Sequence, residues 1–223
     1  MISAPSPRTR IRRSPENAAY DRSTLYAIVD QAYLCQIAFS DVHGTHCIPM
    51  ACWRMDDHLY IHGSNGGRLI RHLAGGAQVC VTITHLDGLV LARSAFNHSM
   101  NYRSATIYGR FEAVRDDAHK RASLACFMEG LAPGRQAEIR PGNDKEHAAT
   151  TVLRLPLAEA ACKQRSGGPI DDEDDLGVAA WVGVLPLRLQ RGVPQASTDC
   201  RAAAPDYVRA WHDCVVAGRV ETS

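Results

Sequence analysis

Residues 85–109, HLDGLVLARSAFNHSMNYRSATIYG, decide the fold of this chain. Two apolar runs with the alternating pattern of β-strands enclose a loop that is unusually rich in polar groups. A solvated turn uses mainly Gly, Pro, Asp and Asn, whereas this loop interleaves hydroxyls and guanidiniums with Phe96 and Tyr102. The loop suits a ligand that joins a phosphate to an aromatic group, and a hairpin loop tied by its own hydrogen bonds is the alternative. Its polar residues are Arg93, Ser94, Asn97, His98, Ser99, Asn101, Arg103 and Ser104.

The rest of the chain adds further short strands and few helices on the same criteria. A helix is predicted from Asp21 or Ser23 to Ala32, a short helix over 67–73 capped by Ser64 or Asn65, and a longer helix from Asp116 or Asp117 to about Leu131. This pattern favours a mainly β fold with peripheral helices, a closed or split antiparallel β-barrel. The predicted strands are 33–40, 46–55 and 58–62 as a meander, then 78–84, 86–96, 104–114, 150–157 and 179–185.

Length and composition indicate one domain with irregular ends. The chain has 223 residues, of which 45% are hydrophobic and 22% charged, enough for one sizeable core. We expect an Arg/Pro-rich flexible arm at 1–18 that is disordered or lies over a partner subunit. The domain itself is expected at 19–188, followed by a tail at 189–223. Tyr207, Val208 and Trp211 favour a short docking helix in that tail.

Charge and cysteine usage exclude several classes of protein. A formal net charge of +1 gives no global field for nucleic acid or an anionic membrane. No apolar run reaches the roughly 20 residues that span a bilayer, and the N-terminus lacks a signal sequence, so a cytoplasmic protein is expected. The eight cysteines lack CxxC spacing, which favours reduced thiols.

Residues 62–69, HGSNGGRL, are the clearest candidate for an anion site. A strand that ends in small residues and opens a helix presents free backbone N–H groups, and Arg68 adds a charged fork. An ordinary glycine-rich turn is the alternative reading.

Other motifs carry less information about chemistry. HxxHC at 43–47 has metal-like residues, but it spans a predicted turn and an alternating strand, so the side chains need not converge. The acidic run DDEDD at 171–175 is typical of a solvated loop and disfavours a nearby phosphate unless a cation offsets it. GxSxG, GxGxxG and Walker sequences do not occur in the chain.

Four stretches resemble the flavin-nucleotide-binding proteins related to pyridoxamine phosphate oxidase, and among them the nitroimidazole reductase-like (Nim-type) branch. The resemblance implies a split barrel that binds FMN, forms a homodimer with flavin sites between chains, and acts as an oxidoreductase. For the branch, it implies reduction of a nitro-aromatic such as a nitroimidazole, the activity behind nitroimidazole resistance. The stretches are IPMACWRMDDHLYIHGSNGGRLIRHL (48–73), LDGLVLARSAFNHSMNYRSATIYGR (86–110), LAPGRQAEIRP (131–141) and CKQRSGGPIDDEDDLGVAAWVGVLPL (162–187).

The resemblance also assigns expected roles to individual residues. The backbone of Ile48, Pro49 and Met50 would border the isoalloxazine ring, and Arg103 with Ser104 would contact the ribityl phosphate or the ring edge. Gly67 stands where a phosphate-binding Ser is usual, so Ser64 is expected to substitute. The cofactor-binding candidates are Ile48, Pro49, Met50, His62, Ser64, Asn65, Arg68, Ser94, Asn101, Arg103, Ser104 and Trp181.

His62 and Trp181 have a structural alternative each. The resemblance places His62 at a strand end near the reactive edge of the flavin, where it would position substrate or deliver a proton, and a packed strand histidine is the alternative. His98 is a weaker candidate because its loop can face a partner. Trp181 would approach the flavin from the second chain, or it belongs to the core. A non-catalytic flavin or haem binder and a pyridoxamine phosphate oxidase-like amine oxidation remain alternative functions.

Overall fold

The computed structural model describes residues 3–212. It contains two antiparallel β-sheets that share one apolar core, with short helices at the periphery. The mainly β split-barrel fold predicted from the sequence is therefore confirmed. The helices are α1 (Arg22–Asp30), α2 (Arg68–Ala74), α3 (Asp117–Leu131), α4 (Asp144–Ala149) and α5 (Asp206–Arg209).

The larger sheet has the strand order β1-β10-β7-β6-β2-β3, with β11 pairing on β6, and the smaller sheet has the order β4-β5-β9-β8. The strands are β1 (Ala18–Ala19), β2 (Leu34–Asp41), β3 (Gly44–Ala51), β4 (Trp53–Met55), β5 (His58–Ser64), β6 (Gln78–Leu91), β7 (Ser99–Arg110), β8 (Glu112–Ala113), β9 (Thr150–Pro156), β10 (Ala160–Arg165) and β11 (Gly183–Pro186).

The hairpin of β6 and β7 is the centre of the larger sheet. Val79, Val81 and Ile83 on β6 are almost fully buried, while the residues between them face outward, as a half-buried strand requires. The two strands pair over their whole length except for a register shift at Leu86/Gly88. At Gly88 a Cβ atom would lie 3.0 Å from the carbonyl oxygen of Leu185, so the missing side chain lets β11 approach β6.

Helix α1 covers one part of the core, as the sequence predicted. The Asp21 carboxylate caps it by accepting a hydrogen bond from the backbone N of Thr24. Leu25, Ile28 and Val29, spaced at i, i+3 and i+4, are buried against the sheets.

Several strand boundaries differ from the predictions. Residues 46–55, predicted as one strand of a meander, divide into β3 of the larger sheet and β4 of the smaller sheet. The break falls at Cys52, whose backbone N donates to the Tyr33 carbonyl at 3.2 Å. Residues 78–84 and 86–96 form the single strand β6, because the shift at Gly88 bends the strand without ending it. The late strand predicted at 179–185 is the shorter β11, and β10 was not predicted.

The N-terminal arm, expected to be flexible, packs on the outer face of the larger sheet. Thr9 is 2% exposed, and Arg8 forms a two-pronged pair with Glu159, at 2.8 Å from Nε and 2.5 Å from Nη2. Strand β1 then adds to the edge of the sheet beside β10. A sequence without apolar periodicity can thus be anchored by charge pairing and strand addition, which hydrophobic patterns do not report.

The tail carries the short helix α5, in the region where a docking helix was predicted. Tyr207 donates from its hydroxyl to Glu138 at 3.0 Å, and the Arg191 guanidinium lies 4.1 Å from the centre of the Trp211 ring. The seven cysteines among the described residues are free thiols. Cys214 lies outside the described residues. Within residues 3–212, no helix is long and apolar enough to cross a membrane.

Candidate functional site

The glycine-rich turn between β5 and α2 forms where the sequence predicted it, but it uses its own backbone donors. The N–H of Gly67 donates to the carbonyl of Ser64 at 2.9 Å. The Asn65 side chain donates to the Ala148 carbonyl at 2.6 Å. Gly67 is the N-cap residue of α2 and offers no side-chain cap, so neither Ser64 nor Asn65 caps the helix. Backbone donors of this turn therefore contribute less to anion binding than the sequence suggested.

Arg68 belongs to a small polar group that we call the edge cluster, made of Asp41, His46 and Arg68. His46 Nε2 lies 2.9 Å from Asp41 Oδ1, and Arg68 Nη2 lies 3.3 Å from Asp41 Oδ2. The hydrogen bond with His46, followed by one from the backbone of His43, holds the pKa of Asp41 at about 2. The Arg68 side chain is still 58% exposed, so its guanidinium retains donors for an anion.

The strand next to this cluster is an open edge of the larger sheet. Among the described residues β3 pairs only with β2 in that sheet, so alternate residues direct their backbone N–H and C=O groups away from it. Ile48, Pro49 and Met50 lie in this strand, and Pro49 is exposed. The structure thus brings Arg68 close to the strand whose backbone was expected to border a flavin ring.

His62 lies in a different environment, which we call the aromatic cluster: Trp53, Tyr60, His62 and Phe127. The His62 ring is 5.0 Å from the Phe127 ring and 5.7 Å from the Trp53 ring. Its Nδ1 is buried without a hydrogen-bond partner, as is Nε1 of Trp53. Burial lowers the pKa of His62 below its ordinary value. His62 is therefore a neutral imidazole at pH 7 that packs among aromatic rings.

The loop between β6 and β7 is held by internal hydrogen bonds. Ser94 Oγ accepts from the backbone N of Asn97 at 3.3 Å. Asp171, the first residue of the acidic run, accepts from the Arg93 backbone N at 2.7 Å and from its Nη1 at 2.6 Å. The backbone bond, followed by the guanidinium, lowers the pKa of Asp171. The acidic run is therefore anchored at its first carboxylate rather than fully solvated.

Asn101 and Arg103 are committed to similar contacts. Asn101 is 8% exposed and donates to the Gly167 carbonyl at 3.0 Å while accepting from Arg165 at 2.6 Å. Arg103 forms two 2.8 Å bonds with Asp87 and a third, at 2.6 Å, with Gln31. We call this set the loop brace; its pairs are Arg93/Asp171, Asn101/Arg165 and Arg103/Asp87.

Ser104 and Trp181 complete the set of predicted site residues. Ser104 faces the outer side of the sheet, and its hydroxyl donates to the Lys163 carbonyl at 3.1 Å. Trp181 is 65% exposed and is thus not a core residue within one chain. Its ring lies over Gly183, where a Cβ atom would come within 2.8 Å of the indole.

The predicted residues therefore do not form one site. Arg68 lies by Asp41 at the end of β2, whereas Arg103 lies by Gln31, which precedes the start of that strand. An eight-residue strand extends about 25 Å, so the two arginines cannot hold one phosphate. Sequence reasoning missed the partners Asp41, Asp87 and Asp171, because an acid distant in sequence carries no local signal for the arginine that it pairs with.

The fold and the open edge beside Arg68 define a split β-barrel of the kind found in flavin-nucleotide-binding proteins. The chain belongs to the pyridoxamine 5'-phosphate oxidase family, whose sequence model matches residues 21–164. This confirms the resemblance stated from the sequence. No curated protein shows significant sequence similarity to the chain.

Solved structures extend the similarity beyond the region of the family model. Flavocytochrome Anf3 from Azotobacter vinelandii is 38% identical, with a TM-score of 0.89 over 94% of this chain and 99% of that chain. The FAD and haem binding protein from Mycobacterium smegmatis is 36% identical, with a TM-score of 0.83 over 88% of this chain and 97% of that one. A 5-nitroimidazole antibiotic resistance protein from Bacteroides thetaiotaomicron is 24% identical, with a TM-score of 0.56 over 66% of this chain and 85% of that chain; this likeness concerns the fold alone.

Proposed function

We propose that the protein is a flavin-dependent oxidoreductase that also binds haem. The observation that carries this proposal is similarity over nearly the whole chain, tail included, to two proteins described as a flavocytochrome and as an FAD and haem binding protein. The family model ends at residue 164, so the shared tail is a feature beyond general membership of the family.

The edge of β3 fits a flavin by the chemistry of its donors. Isoalloxazine needs hydrogen-bonding groups in a row, and the unpaired backbone groups around Ile48 and Met50 supply such a row. Arg68 would hold the nearest phosphate oxygen, with the exposed Ser64 beside it. FMN is the cofactor expected from the sequence, and FAD is named for one of the whole-length relatives. When bound, flavin supplies hydride or electron-pair transfer and haem supplies single-electron chemistry.

His98 is the residue that best fits a haem iron. Its Nδ1 lies 2.8 Å from the Ser94 carbonyl, an acceptor, so Nδ1 carries the proton and Nε2 keeps a lone pair. A hydrogen bond from the second ring nitrogen to a carbonyl is the usual support of a metal-ligating histidine. Phe96 is 93% exposed and Met100 53% exposed on either side of His98, which gives the apolar contact that a macrocycle needs.

We propose that a second copy of the chain covers the exposed apolar surface. Trp181, Leu189 and Val193 are 65%, 69% and 79% exposed, more apolar surface than a monomer usually shows to water. A homodimer would bury it and would set Trp181 of one chain beside the flavin of the other.

The single-chain alternatives rest on His62. FMN-dependent reduction of a nitro-aromatic needs a proton carrier near the flavin, and His62 is neutral at pH 7 with its Nδ1 unpartnered. In that function His62→Ala would lower turnover about 100-fold while leaving FMN affinity nearly unchanged. If His62 only packs among the rings, the same change lowers the melting temperature and leaves activity per flavin intact.

The deciding experiment is the absorption spectrum of the protein as purified from cells supplied with haem precursor. We expect oxidised-flavin bands together with a Soret band, and chromatography of the released flavin identifies FMN or FAD. His98→Ala should lose or shift the Soret band while retaining flavin, with the exposed His43→Ala as a control.

Anaerobic reduction by NAD(P)H, followed by dioxygen or a nitroimidazole, then tests activity. Flavin without haem, reoxidised by the nitro compound, would favour the nitroreductase. Bound cofactors that never turn over would favour a sensing or storage protein.

A further inference from the structure

The N-terminal arm and the outer face of the larger sheet enclose a depression of about 190 Å³. It is built by parts of the chain far apart in sequence, since the arm is fixed at both ends: Arg8 pairs with Glu159, and β1 joins β10. The arm therefore passes over the sheet as a closed strap. The lining residues are Arg8, Thr9, Arg10, Ile11, Ser104, Thr106, Tyr108, Ala161 and Lys163.

The charges of this depression are unbalanced toward the positive. Glu159 is matched by Arg8. Lys163 Nζ donates to the neutral backbone carbonyl of Arg13 at 2.9 Å, and Arg10 forms no ion pair within the described residues. Two cations that no carboxylate neutralises thus face one small space, and mutual repulsion makes an anion between them favourable.

The hydroxyl groups and the size of the depression indicate the kind of anion. Ser104 and Thr106 line its floor from β7. The Tyr108 ring is already covered, because the Arg8 guanidinium lies 4.6 Å from its centre, so no aromatic face is free to stack on a base or a flavin ring. An arginine fork, a lysine and hydroxyls without an aromatic platform are typical of phosphate recognition.

We propose that this depression is a binding site for a phosphoryl group, held by Arg10 and Lys163 with Thr106. The site lies on the opposite side of β7 from the Arg103 side chain, which is committed to Asp87. Ser104, expected from the sequence to contact a phosphate, faces this site. The phosphoryl group belongs either to the distal half of an FAD or to a separate nucleotide. The site stands independently of haem binding.

The test uses the purified full-length protein and titrates inorganic pyrophosphate by calorimetry, at low ionic strength. Wild type should bind, and binding should weaken with added salt. Arg10→Ala and Lys163→Gln should each lower affinity about tenfold or more, the scale of a charged hydrogen bond. Arg12→Ala is the matched control, an exposed arginine of the same arm that does not line the depression, and should change affinity less than about twofold.

Titrations with FMN, FAD and AMP then identify the source of the phosphoryl group. If Arg10→Ala weakens FAD but not FMN, the site takes the distal half of FAD. If it weakens AMP and leaves both flavins unchanged, the site takes a separate nucleotide. The proposal is overturned if wild type does not bind pyrophosphate, or if Arg10→Ala and Arg12→Ala bind it equally well. Melting temperatures of the variants establish that each one is folded.

Discussion

The edge cluster and the loop brace contain the same kinds of side chain and differ in how many donors they leave free. In the loop brace, Arg103 has Asp87 and Gln31 as partners, and its side chain is 27% exposed. In the edge cluster, Arg68 shares one carboxylate with His46 and is 58% exposed. A guanidinium binds a ligand with the donors that the fold leaves unused. The difference indicates that the brace stabilises the chain and the edge cluster serves a ligand.

The brace should therefore fail first under mutation, and Asp171→Ala should have the largest effect. The Asp171 side chain is 4% exposed and accepts two hydrogen bonds from Arg93, whose Nε is already buried without a partner. Removing the carboxylate should lower the free energy of unfolding by about 2–4 kcal/mol. The melting temperature should fall by about 5–10 °C in thermal denaturation.

Asp174→Ala is the matched control for this change. Asp174 belongs to the same acidic run but is exposed, so its removal should alter stability by less than about 0.5 kcal/mol. Equal melting temperatures for the two variants would show that the run is solvated throughout and that the brace does not depend on Asp171.

Arg68→Ala should have the next largest effect, on flavin binding rather than on folding. A charged hydrogen bond to phosphate contributes about 1.5–3 kcal/mol, so flavin affinity should fall about 10- to 100-fold. The exposed side chain contributes little to the fold, and the melting temperature of the flavin-free protein should change by no more than about 2 °C. Fluorescence titration with FMN and FAD measures the affinity. An unchanged affinity would remove Arg68 from the flavin site and the contrast with Arg103 would lose its functional meaning.

Arg103→Ala should show the opposite pattern. It removes the bonds to Asp87 and Gln31, but the Asp87 side chain is 35% exposed and water partly replaces its partner. Stability should fall by about 1–2 kcal/mol, or about 3–6 °C. Flavin affinity of the folded fraction should stay within about threefold of wild type. A loss of affinity as large as that of Arg68→Ala, at unchanged stability, would make Arg103 a ligand-binding residue after all.

The sequence predicted the split barrel well because local patterns encode it. The alternation of Val79, Val81 and Ile83 and the cap at Asp21 each reflect interactions within a few residues. The break at Cys52 was missed because its hydrogen bond to Tyr33 depends on where another strand lies. The order of the arm was missed for the same reason, since Arg8 finds its partner at Glu159.

The candidate site was predicted less well than the fold. Residue types in the loop suggested a phosphate, yet a guanidinium that binds phosphate and one that binds a distant carboxylate look identical in sequence. Arg103 and Arg68 were therefore given similar roles. Only the positions of Asp87 and Asp41 separate them, and these depend on tertiary structure.

The smallest expected effect is the acid sensitivity of the edge cluster. In the folded protein the pKa of Asp41 is about 2, below its ordinary value of 3.8. A carboxyl group with a lowered pKa stabilises the fold above its unfolded pKa, and this contribution is lost as the pH falls from about 4 to about 2. Asp41→Asn removes the titration, so its melting temperature should fall less over that range than wild type, by about 1–2 °C. The hydrogen bond with His46 is the main cause of the shift and Arg68 the weakest, so His46→Ala should reduce the acid sensitivity more than Arg68→Ala does. Other carboxyls with pKa values near 2, Asp21, Glu146 and Glu159, titrate in every variant and set the common baseline. If Arg68→Ala abolished the difference and His46→Ala did not, Asp41 would be held chiefly by Arg68, and that arginine would be less available to an anion than its exposure indicates.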